Sequence, residues 1–295
     1  MRLLVFGARG MLGTDLVPLC AARHLVRGVD IEEVDITDKA AVAEEVARFC
    51  PEAVINAAAY TDVDGSEENP ETAFKVNADG VEHIAAACRA SNAALYHLST
   101  DYVFDGQKQS PYTEEDQPRP LGVYGRSKWE GEQRARRTLE RVCVVRTAWL
   151  YGRAGRNFVK AILSQASSKS ELRVVADQRG SPTYTKDLAR ALLALVECGR
   201  TGTYHVTNAG SCSWYEFAVR ILEWAGIRGV RVTPITTQEL GRRAPRPAFS
   251  VMDCSRFERH TGTRLRHWES AVKEYLAAER LEGAGAEELR EERIR

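Results

Sequence analysis

A tyrosine and a lysine stand four residues apart in the stretch YGRSK, at Tyr124 and Lys128. On a helix that spacing puts both side chains on one face, and an ammonium beside a phenol favours phenolate. The phenol then becomes a usable proton donor or acceptor near neutral pH. Upstream, Ser99 and Thr100 close an apolar run, where a hydroxyl can hydrogen-bond a carbonyl oxygen. At the N-terminus, apolar Leu3 to Phe6 run straight into Gly7, Gly10 and Gly13. One glycine suffices to turn a chain, whereas three between a strand and a helix let the backbone approach a pyrophosphate at the helix N-terminus. Asp30, shortly after the next apolar run, is placed to accept a hydrogen bond from an adenosine ribose 2′-hydroxyl. Together these residues describe carbonyl reduction by hydride transfer from a bound dinucleotide.

Plainer readings stand beside this one. Arg9 occupies the place of the second glycine in G-x-G-x-x-G, so the loop also reads as a tight strand–helix turn. Asp30 would repel a 2′-phosphate, while Arg9 and Arg27 would offset it, which leaves the choice between NADH and NADPH open. The DITD run, Asp35, Ile36, Thr37 and Asp38, reads as a cap for a helix beginning at Lys39, with an adenine-side contact through Asp35 and Ile36 as a second role.

The elements that must position these residues are visible as short apolar runs alternating with helix-like segments. The runs are LLVF (3–6), LVRGV (25–29), AVINAAA (53–59), ALYHLS (94–99) and VCVVRTAW (142–149). The segments between them include one beginning near Met11 with apolar Leu12, Leu16, Val17 and Leu19, then 39–49, 73–90 and 127–140. This alternation predicts an α/β fold, a Rossmann-like doubly wound parallel sheet with helices on both faces. Ligands of such sheets lie beyond the carboxyl ends of the strands, which gathers Gly7, Ala57 to Tyr60, Ser99 to Asp101 and Ala148–Trp149 around one crevice. Residues 1–150 form the expected dinucleotide-binding domain, with strands from about 170–210 added to its sheet, and 151–282 the smaller interleaved substrate-binding lobe. The charged stretch 283–295 reads as a solvated tail.

Composition narrows the class. With 41 basic and 41 acidic residues the 295-residue chain has no net charge, so nothing broad attracts nucleic acid or an anionic membrane. Seven scattered cysteines without a C-x-x-C pair point away from a disulfide framework or a zinc site, and no metal site is assigned. No signal-peptide layout and no run of membrane-spanning length is present. A soluble cytoplasmic protein is the expectation.

The chain resembles the dTDP-4-dehydrorhamnose reductases of the extended short-chain dehydrogenase/reductase superfamily. The resemblance rests on GARGMLG (7–13), DITD (35–38), INAAAYTDVDGSE (55–67), NADG (77–80), STDYVFDG (99–106), PYTEED (111–116), VYGRSKWEGE (123–132), RTAWLYG (146–152), DQRGSPT (177–183), SWYEFA (213–218) and RPAFSVMD (246–253). That superfamily accepts the glycine spacing found here. The resemblance implies hydride transfer from NADPH or NADH to C4 of dTDP-4-dehydro-L-rhamnose, giving dTDP-L-rhamnose, with Thr100, Tyr124 and Lys128 as the catalytic set. It implies a cofactor channel along Gly7, Arg9, Gly10, Met11, Leu12, Gly13, Asp30, Asp35, Ile36, Ala57, Ala58, Tyr60 and Ser99, closed by Tyr124 and Lys128. It places Thr100, Asp101, Tyr102, Val103, Tyr124 and Trp149 against the sugar. Asn157 and Arg246, with Arg242 and Arg243, are candidates for the substrate diphosphate, because guanidinium pairs well with phosphate.

Some relatives carry an acid at the position of Asp15 in a magnesium-bridged dimer. Sequence alone supports neither the Mg2+ nor the homodimer, and a solvated carboxylate is the plain expectation for Asp15. His97 and His205 lie inside strand-like runs and read as core histidines. Two rival functions remain: a reductase or epimerase of another nucleotide 6-deoxysugar, and a non-catalytic NADP-binding regulatory subunit related to that of methionine adenosyltransferase.

Overall fold

Five apolar runs become the strands β1 (Arg2–Phe6), β2 (Leu25–Val29), β3 (Ala53–Asn56), β4 (Ala94–Thr100) and β5 (Val142–Thr147) of a parallel sheet. The computed structural model describes residues 1–279. The expected tail over 283–295 therefore lies outside the described residues. Within β1, Leu3 and Val5 enter one core layer, while Leu4 and Phe6 enter the layer on the opposite face. A strand buried on both faces has no polar side to alternate with, which is why these runs are continuously apolar.

The helices between the strands are α1 (Gly13–Ala21), α2 (Lys39–Phe49), α3 (Val63–Glu68), α4 (Pro70–Phe74), α5 (Gly80–Ala90) and α6 (Val123–Thr138). The segment expected as one helix over 73–90 is interrupted by a π-helical turn at Lys75–Asp79. That turn carries Asn77, whose amide pairs with both backbone groups of Tyr60 and donates to the Ser127 hydroxyl at 3.0 Å. α2 keeps its expected limits, because the Asp38 carboxylate caps Ala40 and Ala41 N–H and Cys50 ends it in the left-handed conformation. α6 begins four residues earlier than the expected 127, at Val123, so Tyr124 and Lys128 both lie on it. The Glu67 carboxylate of α3 receives the Val123 N–H at 2.7 Å, supplying the N-terminal partner that Gly122 lacks.

The second half comprises β6 (Leu150–Tyr151), α7 (Phe158–Ala166), β7 (Glu171–Val175), β8 (Arg179–Gly180), β9 (Thr183–Tyr184), α8 (Thr185–Glu197), β10 (Gly202–His205), β11 (Cys212–Ser213), α9 (Trp214–Ala225) and β12 (Arg231–Ile235). After them come α10 (Thr237–Leu240), α11 (Ser255–Thr261) and a helical segment over 268–279. The six-stranded sheet runs β10-β5-β4-β3-β1-β2. Of the strands expected from about 170–210, β10 joins it. β7 does not: it pairs in parallel with β12 in a separate two-stranded sheet. There Leu172 and Val174 face a second core with Phe217, Ile221 and Trp268, and the run LRVVAD carries no sign of which partner it takes. α8 returns to the first core, packing Leu188, Leu192 and Leu195 beside Leu16 of α1. Strand order reverses between β1 and β3, and the crevice of such a sheet opens at that point.

Candidate active site

At the switch point the backbone itself makes the cradle. Gly7 has φ +79°, and a Cβ on it would meet Ala58 N at 2.7 Å, so β1 and β3 close together only because this residue is glycine. A Cβ on Gly13 would meet Gly7 O at 2.2 Å, which identifies Gly13 as a packing residue. Gly10 differs: a Cβ there would meet only Gly7 O, at 3.2 Å. The space above Gly10 belongs to the cleft, and the N-terminus of α1 beside it has no side-chain cap. Uncapped N–H groups and the helix dipole suit an anion such as a pyrophosphate.

The cleft has a volume of about 760 Å³ and is lined by Gly7, Gly10, Met11, Leu12, Asp30, Asp35, Ile36, Ala57, Ala58, Ser99, Thr100, Asp101, Tyr102, Tyr124, Lys128 and Trp149 from the expected set. Asp30 accepts the N–H groups of Arg9 at 2.8 Å and Ile31 at 2.9 Å, and a carboxylate so held still has lone pairs for a ribose hydroxyl. Small Ala57 and Ala58 at the end of β3 leave room for a flat, extended ligand.

On the other wall, the Thr100 hydroxyl bonds the Tyr124 phenol, and Thr100 also contacts Asp101 Oδ1 at 3.1 Å. Burial pushes the Tyr124 pKa up to about 12, with the Thr100 hydrogen bond working against it. Here the expected chemistry changes. Lys128 does not hold down the Tyr124 pKa: its ammonium donates to the Leu98 carbonyl at 2.7 Å, and burial draws its own pKa down to about 8 against the pull of Glu132. Asp101 is buried, which raises its carboxyl to about 6, and its Oδ2 has no hydrogen-bond partner.

Behind this wall lies an ion pair that the sequence did not announce. Glu132, one turn beyond Lys128, receives Arg146 of β5 in a two-pronged contact at 3.0 and 2.8 Å and accepts the Ser99 hydroxyl. Both charged side chains are almost wholly buried, at 0% and 2% exposure. Arg146 also lies over the Phe104 and Trp129 rings. The pair thus ties α6 to β4 and β5 directly under the catalytic candidates.

Several expected contacts move elsewhere. Val103 is fully buried among Phe104, Tyr112, Ala148 and Met252, so it cannot touch a sugar. Asn157 caps α7, accepting Lys160 N–H and donating to Gly152 O at 2.7 Å, so both ends of its amide are engaged within the protein. Arg246 sits outside the cleft lining, clasped to Asp64 at 2.9 Å and bonded to the Tyr102 hydroxyl. Arg242 pairs with the same Asp64, and Arg243 with Glu68. Tyr60 gives way to its neighbours Ala59 and Thr61 in the lining, and Arg9 turns toward Glu32 and Glu33. Asp15 is partly buried and receives the Thr185 hydroxyl. His97 and His205 are buried neutral histidines, the latter held down to about 3 by burial and by Arg146.

Trp149 lines the cleft in an unexpected setting. It adopts φ +48°, a conformation costly for a non-glycine residue, and stacks on Trp214 at 3.5 Å. Trp214 and Phe158 complete this aromatic wall. Both open a helix after a capping residue, a signal present in SWYEFA and in N-F. Among the described residues there is no group of three or more His, Cys, Asp or Glu placed to hold a metal ion, and no helix is long and apolar enough to cross a membrane.

A glycine cradle at the switch point, with a hydroxyl, a phenol and an ammonium facing it across one cleft, is the setting in which comparison with known proteins becomes decisive. The model of the RmlD substrate binding domain family matches residues 1–281. The chain belongs to this family. The dTDP-4-dehydrorhamnose reductase of Streptomyces griseus is 43% identical over 284 residues, covering 94% of this chain and 93% of that one. The crystal structure of a dTDP-4-dehydrorhamnose reductase from Clostridium acetobutylicum superposes with a TM-score of 0.92 at 42% identity, over 95% of this chain and all of the other. The Bacillus anthracis dTDP-4-dehydrorhamnose reductase in complex with NADP gives 0.91 at 37% identity, over 94% and 99%. The RmlD-family chain therefore shares its architecture with these relatives along nearly its whole length.

Proposed function

We propose that this chain reduces the C4 ketone of dTDP-4-dehydro-L-rhamnose to dTDP-L-rhamnose, using NADPH or NADH. The observation that carries the reading is the single cleft in which the open face of Gly10 and the Thr100–Tyr124–Lys128 wall meet. The S. griseus, C. acetobutylicum and B. anthracis reductases support it by name and by full-length likeness.

When bound, the reduced nicotinamide supplies hydride to the sugar C4. Tyr124, kept protonated by burial across the working pH range, gives its phenolic proton to the developing C4 alkoxide. Thr100, bonded to the phenol, orients the same oxygen. Lys128, fixed by the Leu98 carbonyl at the foot of the cleft, would hold the nicotinamide ribose. Asp101 and Tyr102 face the sugar, and Trp149 backed by Trp214 gives it a flat apolar wall. A homodimer and a cytoplasmic location belong to the same reading, and light scattering of the purified chain tests the first.

The function is tested by adding enzymatically prepared dTDP-4-dehydro-L-rhamnose with NADH or NADPH, following nicotinamide absorbance and identifying the product by its ring-proton couplings. Loss of absorbance with formation of dTDP-L-rhamnose is expected. No turnover with either cofactor contradicts the reading.

Two further results are expected. Gly10→Val should weaken cofactor binding by at least about tenfold in titration, because its side chain fills the open space above the loop backbone. Unchanged affinity would place the pyrophosphate elsewhere. Cofactor affinity should also be steady at neutral pH and decline as pH rises through about 8, where Lys128 loses its proton. Lys128→Ala should bind more weakly and lack that decline; if the decline persists, another group causes it.

A further inference from the structure

Asp30 marks where the adenosine ribose of a dinucleotide would lie, and the residues around it decide what its 2′-oxygen can carry. A 2′-phosphate is a dianion near neutral pH and needs a cation beside it. Two arginines are near in sequence, Arg9 and Arg27. Arg27 is tethered to Glu45 at 2.9 Å, a carboxylate that Arg48 shares, and it does not line the cleft. Arg9 has its backbone N–H on Asp30 Oδ2, so its side chain starts beside the carboxylate that would meet the ribose. Its guanidinium does not turn to the cleft. Two of its nitrogens engage Glu33 at 2.6 and 2.7 Å, a fork-to-fork contact, and one also reaches Glu32. Glu33 is itself anchored, accepting the Asp30 N–H at 3.0 Å. Hydrogen bonding to Arg9 draws the Glu33 carboxyl down to about 2, so it stays ionised.

We propose that Glu32 and Glu33 hold Arg9 away from the adenosine ribose and thereby select a dinucleotide whose 2′-oxygen is a free hydroxyl. The inference rests on the dinucleotide reading of the cleft and goes beyond it by naming which cofactor is preferred and which residues choose. Two carboxylates, those of Glu32 and Glu33, hold the guanidinium, and a third, that of Asp30, accepts the backbone N–H of the same arginine. A phosphate entering this group meets net negative charge, while a hydroxyl can donate to Asp30. Because the clasp is exposed, ions in solution screen it, and the preference should shrink as salt rises.

The test is direct titration of the full chain with NADH and with NADPH, reading nicotinamide fluorescence, for the wild type, for Glu32→Gln with Glu33→Gln, and for that pair combined with Arg9→Ala. Glutamine keeps an oxygen for the Asp30 N–H while removing the charge that holds Arg9. The wild type is expected to bind NADH about tenfold or more tightly than NADPH, the scale of one charge contact near a surface. The paired glutamines should narrow or reverse that ratio by a similar factor, and adding Arg9→Ala should cancel the gain. Equal binding of both cofactors by the wild type overturns the proposal. So does a ratio untouched by the glutamines, or a gain that survives loss of Arg9. Failure to bind either cofactor overturns the dinucleotide reading itself, and the selection falls with it.

Discussion

Tyr124→Phe is expected to lower turnover by about 10²–10⁴-fold, the usual worth of a positioned acid, while the fold and the cofactor affinity survive. The ring lies edge-on to Tyr102 at 5.4 Å and keeps that contact as phenylalanine; the hydroxyl alone is removed. Steady-state kinetics with cofactor saturating, together with a cofactor titration, separate the two effects. Burial holds the tyrosine pKa near 12, so no alkaline rise of rate from a tyrosinate is expected near neutral pH. A Phe variant as fast as the wild type, under conditions where chemistry limits the rate, would mean that another group supplies the proton.

Glu132→Ala should destabilise the protein by about 3–5 kcal/mol, because it strands the Arg146 guanidinium at 2% exposure with its partner gone. His205 cannot replace the carboxylate: its neutral ring accepts from Arg146 only through one long contact, at 3.5 Å, and brings no negative charge. Urea unfolding of wild type and variant measures the loss. A shift under about 1 kcal/mol would show that the pair contributes little. Such a result would be explained if water reached Arg146 on truncation. The same substitution removes the acceptor of the Ser99 hydroxyl and the carboxylate opposing the fall of the Lys128 pKa, so any folded variant should lose cofactor affinity at lower pH than wild type.

The sheet was legible because strands buried on both faces must be continuously apolar, and β1 to β5 coincide with five such runs. α2 was legible to the residue because Asp38 caps it. The pattern could not say where β7 goes, since LRVVAD looks the same whether it extends the main sheet or pairs with β12. Residues at the ends of strands reached the cleft as expected, because topology alone puts them there. Misplaced residues are those whose role depends on partners remote in sequence or on which side of a turn a side chain falls. Arg246 meets Asp64, 182 residues away. Val103 turns into the core while its neighbours Asp101 and Tyr102 turn out. The Asn157 cap was readable, standing as it does just before the apolar start of α7. The lysine–tyrosine expectation failed for a different reason: four-residue spacing fixes a shared face, but not whether a backbone carbonyl such as that of Leu98 claims the ammonium first.

The proposed reaction requires one cleft to bring a nicotinamide and a sugar ketone together beside Tyr124. It is tested most directly by running the reaction with cofactor carrying deuterium at the nicotinamide C4 and locating the label in the sugar by mass spectrometry and NMR. One deuterium is expected at C4 of the sugar, delivered from a single face of the nicotinamide, with the product hydroxyl drawn from solvent protons. Label at another carbon, or a product formed without label, would contradict it.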